Sequence, residues 1–229
     1  MNERPTRPRI PRPPSRIAQP TVVNCPGYFR SLEKILRRWR VLNTKYVDRH
    51  RHIGKDLPWW YGERTFIGFL AAATWCTGGV ALEEWGVKKR DRNGRCDLYV
   101  LANLSNGTSI GWLMEAKKIV IRIERSPQRW TRQLNEAIKN AAQDAWCLKC
   151  RKTERRAGIV FAELAWRMPH QQTKNFAEKI QQCRNWLGEN AVANRAVAYV
   201  FPDNAKPARY APLGAAIFVE RAKPRLEER

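Results

Sequence analysis

The chain has 229 residues and is 43% apolar, enough to bury the core of one α/β domain with a small extension. Lys and Arg number 43 against 21 Asp and Glu, a formal charge of +22 that points to a polyanionic partner, because neutralising phosphates releases counterions. Nucleic acid leads. An anionic membrane falls behind, since no segment joins a basic face to an insertion face, and no run of about 18 apolar residues or amino-terminal apolar stretch is present, so a cytoplasmic protein is expected.

Residues 1–24 alternate Arg4, Arg7, Arg9, Arg12 and Arg16 with Pro5, Pro8, Pro11, Pro13, Pro14 and Pro20. Proline at that density forbids helix and sheet ladders, so a disordered basic arm able to grip phosphates is expected. Residues 25–54 read as a basic amphipathic helix and connector, with helix from Tyr28 to about Asn43 and Leu32, Ile35, Leu36, Trp39 and Leu42 on one side. His50 and His52 belong to the connector and lack ligand-spaced partners beyond Asp48.

A domain over 55–222 follows, with residues 223–229 as a charged tail. Asp56 is a fitting N-cap and Pro58 a first-turn residue for a helix running to about Trp75, slim at Gly68, Ala71, Ala72 and Ala73. Three strands are expected next, over 80–88, 95–103 and 109–121. Ser126 and Pro127 open a helix carrying Trp130, Leu134, Ile138, Ala141 and Ala145 at helical spacing. Residues 157–166 form an apolar run suited to a central buried strand. Thr173 can cap a helix with Phe176, Ile180, Cys183 and Leu187, strand 196–201 and a turn at Pro202 and Asp203 follow, and 215–220 reads as the last strand.

Among the acidic residues only Glu115 is followed two positions later by lysine, at the end of Trp112-Leu113-Met114-Glu115-Ala116-Lys117. Strand alternation puts Glu115 and Lys117 on one face. The preceding turn, Ser105-Asn106-Gly107, fits a three-residue hairpin loop with glycine in the left-handed position. Leu104 then faces Thr108, and counting back sets Asp97 opposite Glu115; a two-residue turn at Asn106-Gly107 would slip the register by one and send Asp97 to the other face. Two carboxylates on one face can hold a magnesium or manganese ion through oxygen ligands, with Lys117 placed to orient water or stabilise charge on a phosphate. Glu63 looks toward the sheet with Phe66, Ile67 and Leu70, and Glu83 and Glu84 stand behind it as candidates for the same role.

Gly94-Arg95-Cys96-Asp97-Leu98-Tyr99 followed by Met114-Glu115-Ala116-Lys117-Lys118 resembles the PD-(D/E)xK superfamily of restriction-endonuclease-like nucleases, with Cys96 where the motif has proline. The resemblance implies an α/β fold with a restriction-endonuclease-like core, a central mixed sheet flanked by helices. It also implies metal-dependent hydrolysis of phosphodiester bonds, of DNA before RNA, with Asp97 and Glu115 as metal ligands, Lys117 as catalytic lysine and Glu63 as the helix acid. Arg95, Lys118, Arg129, Arg132, Gln133 and Lys139 are the expected nucleic-acid contacts. The rival expectation is a non-catalytic nucleic-acid-binding or assembly protein using the same basic surface. Oligomeric state is left open, a homodimer included.

The six cysteines are scattered, which favours reduced thiols over a disulfide framework. Cys147 and Cys150 form one CxxC, but no second pair stands at ligand spacing. Of the ten tryptophans most are expected in the core, with Trp59 and Trp60 beside Glu63 as candidate base-stacking platforms.

Overall fold

The computed structural model describes residues 23–50, 57–89, 93–166, 175–201 and 211–224. Arm residues 1–22, Asp56, His52, Thr173, the turn at Pro202 and Asp203 and tail residues 225–229 lie outside the described residues.

Strands β1 (Val23–Asn24), β2 (Val80–Lys88), β3 (Asn93–Asn103), β4 (Ser109–Arg122), β5 (Glu154–Trp166), β6 (Arg195–Val200) and β7 (Ala211–Arg221) form one mixed sheet in the order β1-β6-β7-β5-β4-β3-β2. Six strands are full length and β1 is a two-residue edge. β2, β3 and β4 are an antiparallel meander, and β4 and β5 are parallel. Helices α1 (Glu33–His50) and α2 (Glu63–Trp75) pack with one face of the sheet, and α3 (Pro127–Trp146) and α4 (Phe176–Glu189) with the other. The α/β class, the mixed sheet, its flanking helices and the element order agree with expectation.

Alternation along β4 explains the two layers. Trp112, Met114 and Ala116 join the core of α1 and α2, while Leu113 and Ile121 face the α3 side. β5 lies between β4 and β7, and its residues from Ala157 to Trp166 are all buried, as a run that is apolar except at Glu163 favours. α3 sits directly on β5: a Cβ on Gly158 would collide with the backbone of Ala141 and Ala142.

Strands β3, β5 and β7 start two to four residues earlier than expected, and three further boundaries differ for reasons of packing. The last two residues of the expected arm, Val23 and Asn24, pair with β6, and the Asn24 amide donates to Ala191 O at 2.7 Å. The first helix enters through a 3-10 turn (Gly27–Leu32) and continues to His50, through the expected connector, because Val47 is buried and Tyr46 stacks on His50 at 4.0 Å. The second starts at Glu63, since Pro58–Trp60 forms a separate 3-10 turn. Trp59 is wholly buried there and Lys118 Nζ binds the carbonyls of Trp59 and Tyr61, which draws this stretch off the helix axis.

Candidate active site

The hairpin between β3 and β4 has the three-residue loop. Leu104 N donates to Thr108 O at 2.8 Å, Gly107 N to Leu104 O at 3.2 Å, and Gly107 has φ +79°. Tyr99 pairs with Leu113 and Leu98 with Met114, the register that sets Asp97 level with Glu115. The pairing stops at Leu98, whereas β4 stays paired with β5 through Arg122. From Glu115 onward, the side of β4 turned away from β5 therefore lacks a strand partner.

Side chains from three elements finish that edge. Asp97 Oδ2 accepts the Ala116 amide at 2.7 Å, and Glu63, the first residue of α2, has its carboxylate beside the Lys118 amide, which lowers its pKa. Farther along, Gln133 Nε2 donates to Val120 O at 3.1 Å and Trp130 Nε1 to Arg122 O at 2.8 Å. Backbone polar groups left bare here would be costly, so these contacts hold the splayed strands. They also seat Asp97 and Glu63 on amides two residues apart, about 7 Å along β4.

Glu115 lies among these groups, only 6% exposed. Its pKa is raised from 4.5 to about 7, by burial first and by the Asp97 charge and carboxyl second, against the opposing pull of Lys89, whose Nζ lies 3.0 Å away. Burial and then the Asp97 charge also raise the Glu63 pKa, against the pull of Lys117. For Lys117, burial lowers the pKa, but the 2.9 Å contact with Asp144 and the charges of Asp144, Asp97 and Glu115 outweigh it and the net shift is upward. Asp97, Glu115, Lys117 and Glu63 thus share one electrostatic neighbourhood.

The other candidates are dispersed. Lys118 points to the α2 face, where its amine meets Glu163 at 3.2 Å and Tyr61 O at 2.7 Å and lies over the Phe66 ring. Arg95 is exposed, 3.8 Å from Glu84. Glu84, in left-handed backbone at φ +52°, also pairs with Arg64 at 2.7 Å, and Glu83 is exposed beside Gly68. Arg129, Arg132 and Gln133 line a groove of about 430 Å³ with Arg122 and Arg125, and Lys139 is exposed farther along α3. Among the described residues none of these four groove arginines has an ion-pair partner.

Trp59 is core, whereas Trp60 is exposed. All six cysteines are free; Cys96, at the motif's proline position, is buried against Leu113, Ala145 and Leu148, and burial pushes its thiol up to about 12. Cys147 caps α3 and Cys150 is exposed.

Lys89 and Asp144 were not anticipated from sequence. Nothing near Lys89 signals its pairing with Glu115. Asp144 carried a weak signal, since it lies eleven residues, about three turns, beyond Gln133 and so on the same face of α3.

An α/β chain with three acids and a lysine gathered at a splayed sheet edge is the class that fold and site define. Compared with family models, with curated proteins and with solved structures, the chain finds no significant match. Among the described residues no helix is long and apolar enough to cross a membrane, and no three His, Cys, Asp or Glu side chains form a preassembled metal cage.

Proposed function

We propose that the chain is a metal-dependent nuclease that hydrolyses phosphodiester bonds, DNA before RNA, with a restriction-endonuclease-like core. The observation that carries this reading is Asp97 docked on the Ala116 amide and Glu63 set beside the Lys118 amide, with Lys117 between those two amides and Glu115 immediately before them. The helix–meander–helix–strand order from α2 to β5 and the resemblance of the two motifs support it.

The donor set suits magnesium or manganese. Asp97 and Glu115 offer hard carboxylate oxygens, and the Asp97 charge, second to burial, raises the Glu115 pKa, a repulsion that a bound cation would relieve. Such an ion would polarise a phosphate oxygen and make bound water more acidic. Lys117 carries a full positive charge beside the acids and can stabilise the negative charge developing on the phosphate. Glu63 keeps its carboxylate against the Lys118 amide and extends the acidic wall toward α2. The groove of Arg122, Arg125, Arg129 and Arg132 begins beside Val120, about 7 Å beyond Lys118 on the same edge, and supplies phosphate contacts for a strand leaving the acids.

A second reading, a non-catalytic nucleic-acid binder, draws on the pairing of Lys117 with Asp144 and of Glu115 with Lys89, which satisfies both groups without substrate. Incubating the protein with single- and double-stranded DNA and RNA, with and without magnesium, separates the two. Magnesium-dependent cleavage that Lys117→Ala abolishes supports the nuclease; binding without cleavage supports the binder.

A further inference from the structure

A second cavity lies beside the acidic group on the β2 side. It measures about 560 Å³, and its walls include Trp85, Val87, Tyr99, Leu113, Lys149 and Arg151. We propose that it binds an unpaired nucleobase of a single-stranded nucleic acid, one that flanks the phosphate held at Asp97 and Glu115. The inference rests on the nucleic-acid reading above and names the form of substrate it takes.

Position is the first argument. Tyr99 and Leu113 are direct partners across β3 and β4, and each lies two residues from the acid on its own strand, Asp97 and Glu115 respectively. Two residues of strand span about 7 Å, so the cavity borders the acids. Lys88, also in the lining, precedes the Lys89 that binds Glu115.

Chemistry is the second. Trp85 is 43% exposed although it is large and apolar, and its ring lies 5.7 Å from that of Tyr99, tilted by 33°. The two tilted rings form an aromatic wall with the Trp85 face open to solvent, and Leu113 and Val87 add apolar surface. Lys149 and Arg151 bring positive charge for the phosphate attached to a stacked base. Aromatic wall, apolar surface and cations together match a nucleotide better than a purely apolar ligand.

Construction is the third. The lining is tied down from three directions: Lys149 N donates to Lys88 O at 2.8 Å, Lys89 bridges Leu148, and Glu154 Oε2 accepts the Arg151 amide at 2.7 Å. The end of β2 and the α3–β5 connection are thus held together around the opening. A base stacked and paired within a duplex cannot place its face on Trp85, so the cavity selects unpaired bases.

The test measures binding in EDTA, where cleavage plays no part, of a DNA single strand of about 20 nucleotides and of the matching duplex. Trp85→Ala is expected to weaken strand binding about tenfold or more and to leave the duplex within about twofold. Trp85→Phe keeps most of the strand affinity, and Trp75→Ala, at an exposed tryptophan ending α2, changes neither. A strand carrying 2-aminopurine provides a readout on the unaltered protein, its fluorescence being quenched on binding as the base stacks. Equal weakening of strand and duplex, unchanged strand binding by Trp85→Ala, or no quenching overturns the proposal. Cleavage by the parent protein together with unchanged strand binding by Trp85→Ala overturns the pocket alone, whereas selective loss of strand binding in a protein that never cleaves overturns the nuclease reading alone.

Discussion

Asp97 Oδ2 accepts the amide of Ala116 at 2.7 Å where the β3–β4 ladder has stopped, so an acid takes the place of a strand partner. One oxygen secures the edge of β4 while the carboxylate stands beside Glu115 and Glu63 and adds to burial in raising the pKa of both. Structure and proposed chemistry therefore separate cleanly at this residue.

Asp97→Asn tests that separation. Asparagine retains an oxygen that can accept the Ala116 amide, so the thermal midpoint is expected to stay at or above that of the parent as repulsion with Glu115 falls. Magnesium-dependent cleavage should be abolished, since the ion loses a charged ligand. Lys117→Ala should lose about 10² to 10³ in rate with nucleic-acid affinity largely retained. Single-turnover assays beside binding isotherms read both, and parental cleavage by either variant rejects the assigned roles.

Glu115 predicts how stability follows pH. Its pKa is about 7 in the fold against an ordinary 4.5, so below about 4.5 it is neutral in both states and costs nothing. As pH rises through 7 the unfolded chain ionises it more readily than the fold does, and that part of the stability is lost. Glu115→Gln, neutral throughout, should match the parent near pH 4 and exceed it near pH 8 by up to about 3 kcal/mol. Urea denaturation in EDTA at the two pH values measures this, and an advantage confined to low pH would contradict the assigned sign.

The arginine groove predicts a salt dependence. Affinity for nucleic acid should fall roughly 10³-fold or more between about 50 and 200 mM salt. Replacing Arg125, Arg129 and Arg132 by alanine should reduce the slope of log affinity against log salt by about 2 to 3, at about 0.7 to 0.9 per phosphate contact. Titrations at four salt concentrations suffice, and an unchanged slope places the phosphate contacts elsewhere.

Gly158→Ala probes the seat of α3. The added methyl meets the backbone of Ala141 and Ala142, which cannot rotate aside, so a loss of about 1 to 3 kcal/mol is expected. Because α3 carries Asp144 and Gln133, any cleavage activity should fall with stability. Chemical denaturation at parental stability would show that the helix moves freely on β5.

The site's register was legible because its causes are local. A three-residue loop ending in Gly107 and the ladder register it sets are enough to bring Asp97 level with Glu115, and alternation along β4 puts Lys117 on the face of Glu115. Sequence pattern likewise found the four α-helices and six full-length strands among the described residues, and apolar continuity marked β5 as central.

The tertiary structure decided what depends on separations that no local pattern encodes. Lys89 reaches Glu115 across 26 residues and Lys118 reaches the carbonyl of Tyr61 across 57, and the second contact moved the start of α2 to Glu63. The edge of β4 is completed by Asp97, Glu63, Gln133 and Trp130 only because α2 and α3 dock on opposite faces of the same strand. Sequence alone determined which residues of β3 and β4 stand level with each other, since turn chemistry and alternation act over a few residues. Which charges meet there, and what lies beside them, follows from how whole elements pack, and for that the folded chain was required.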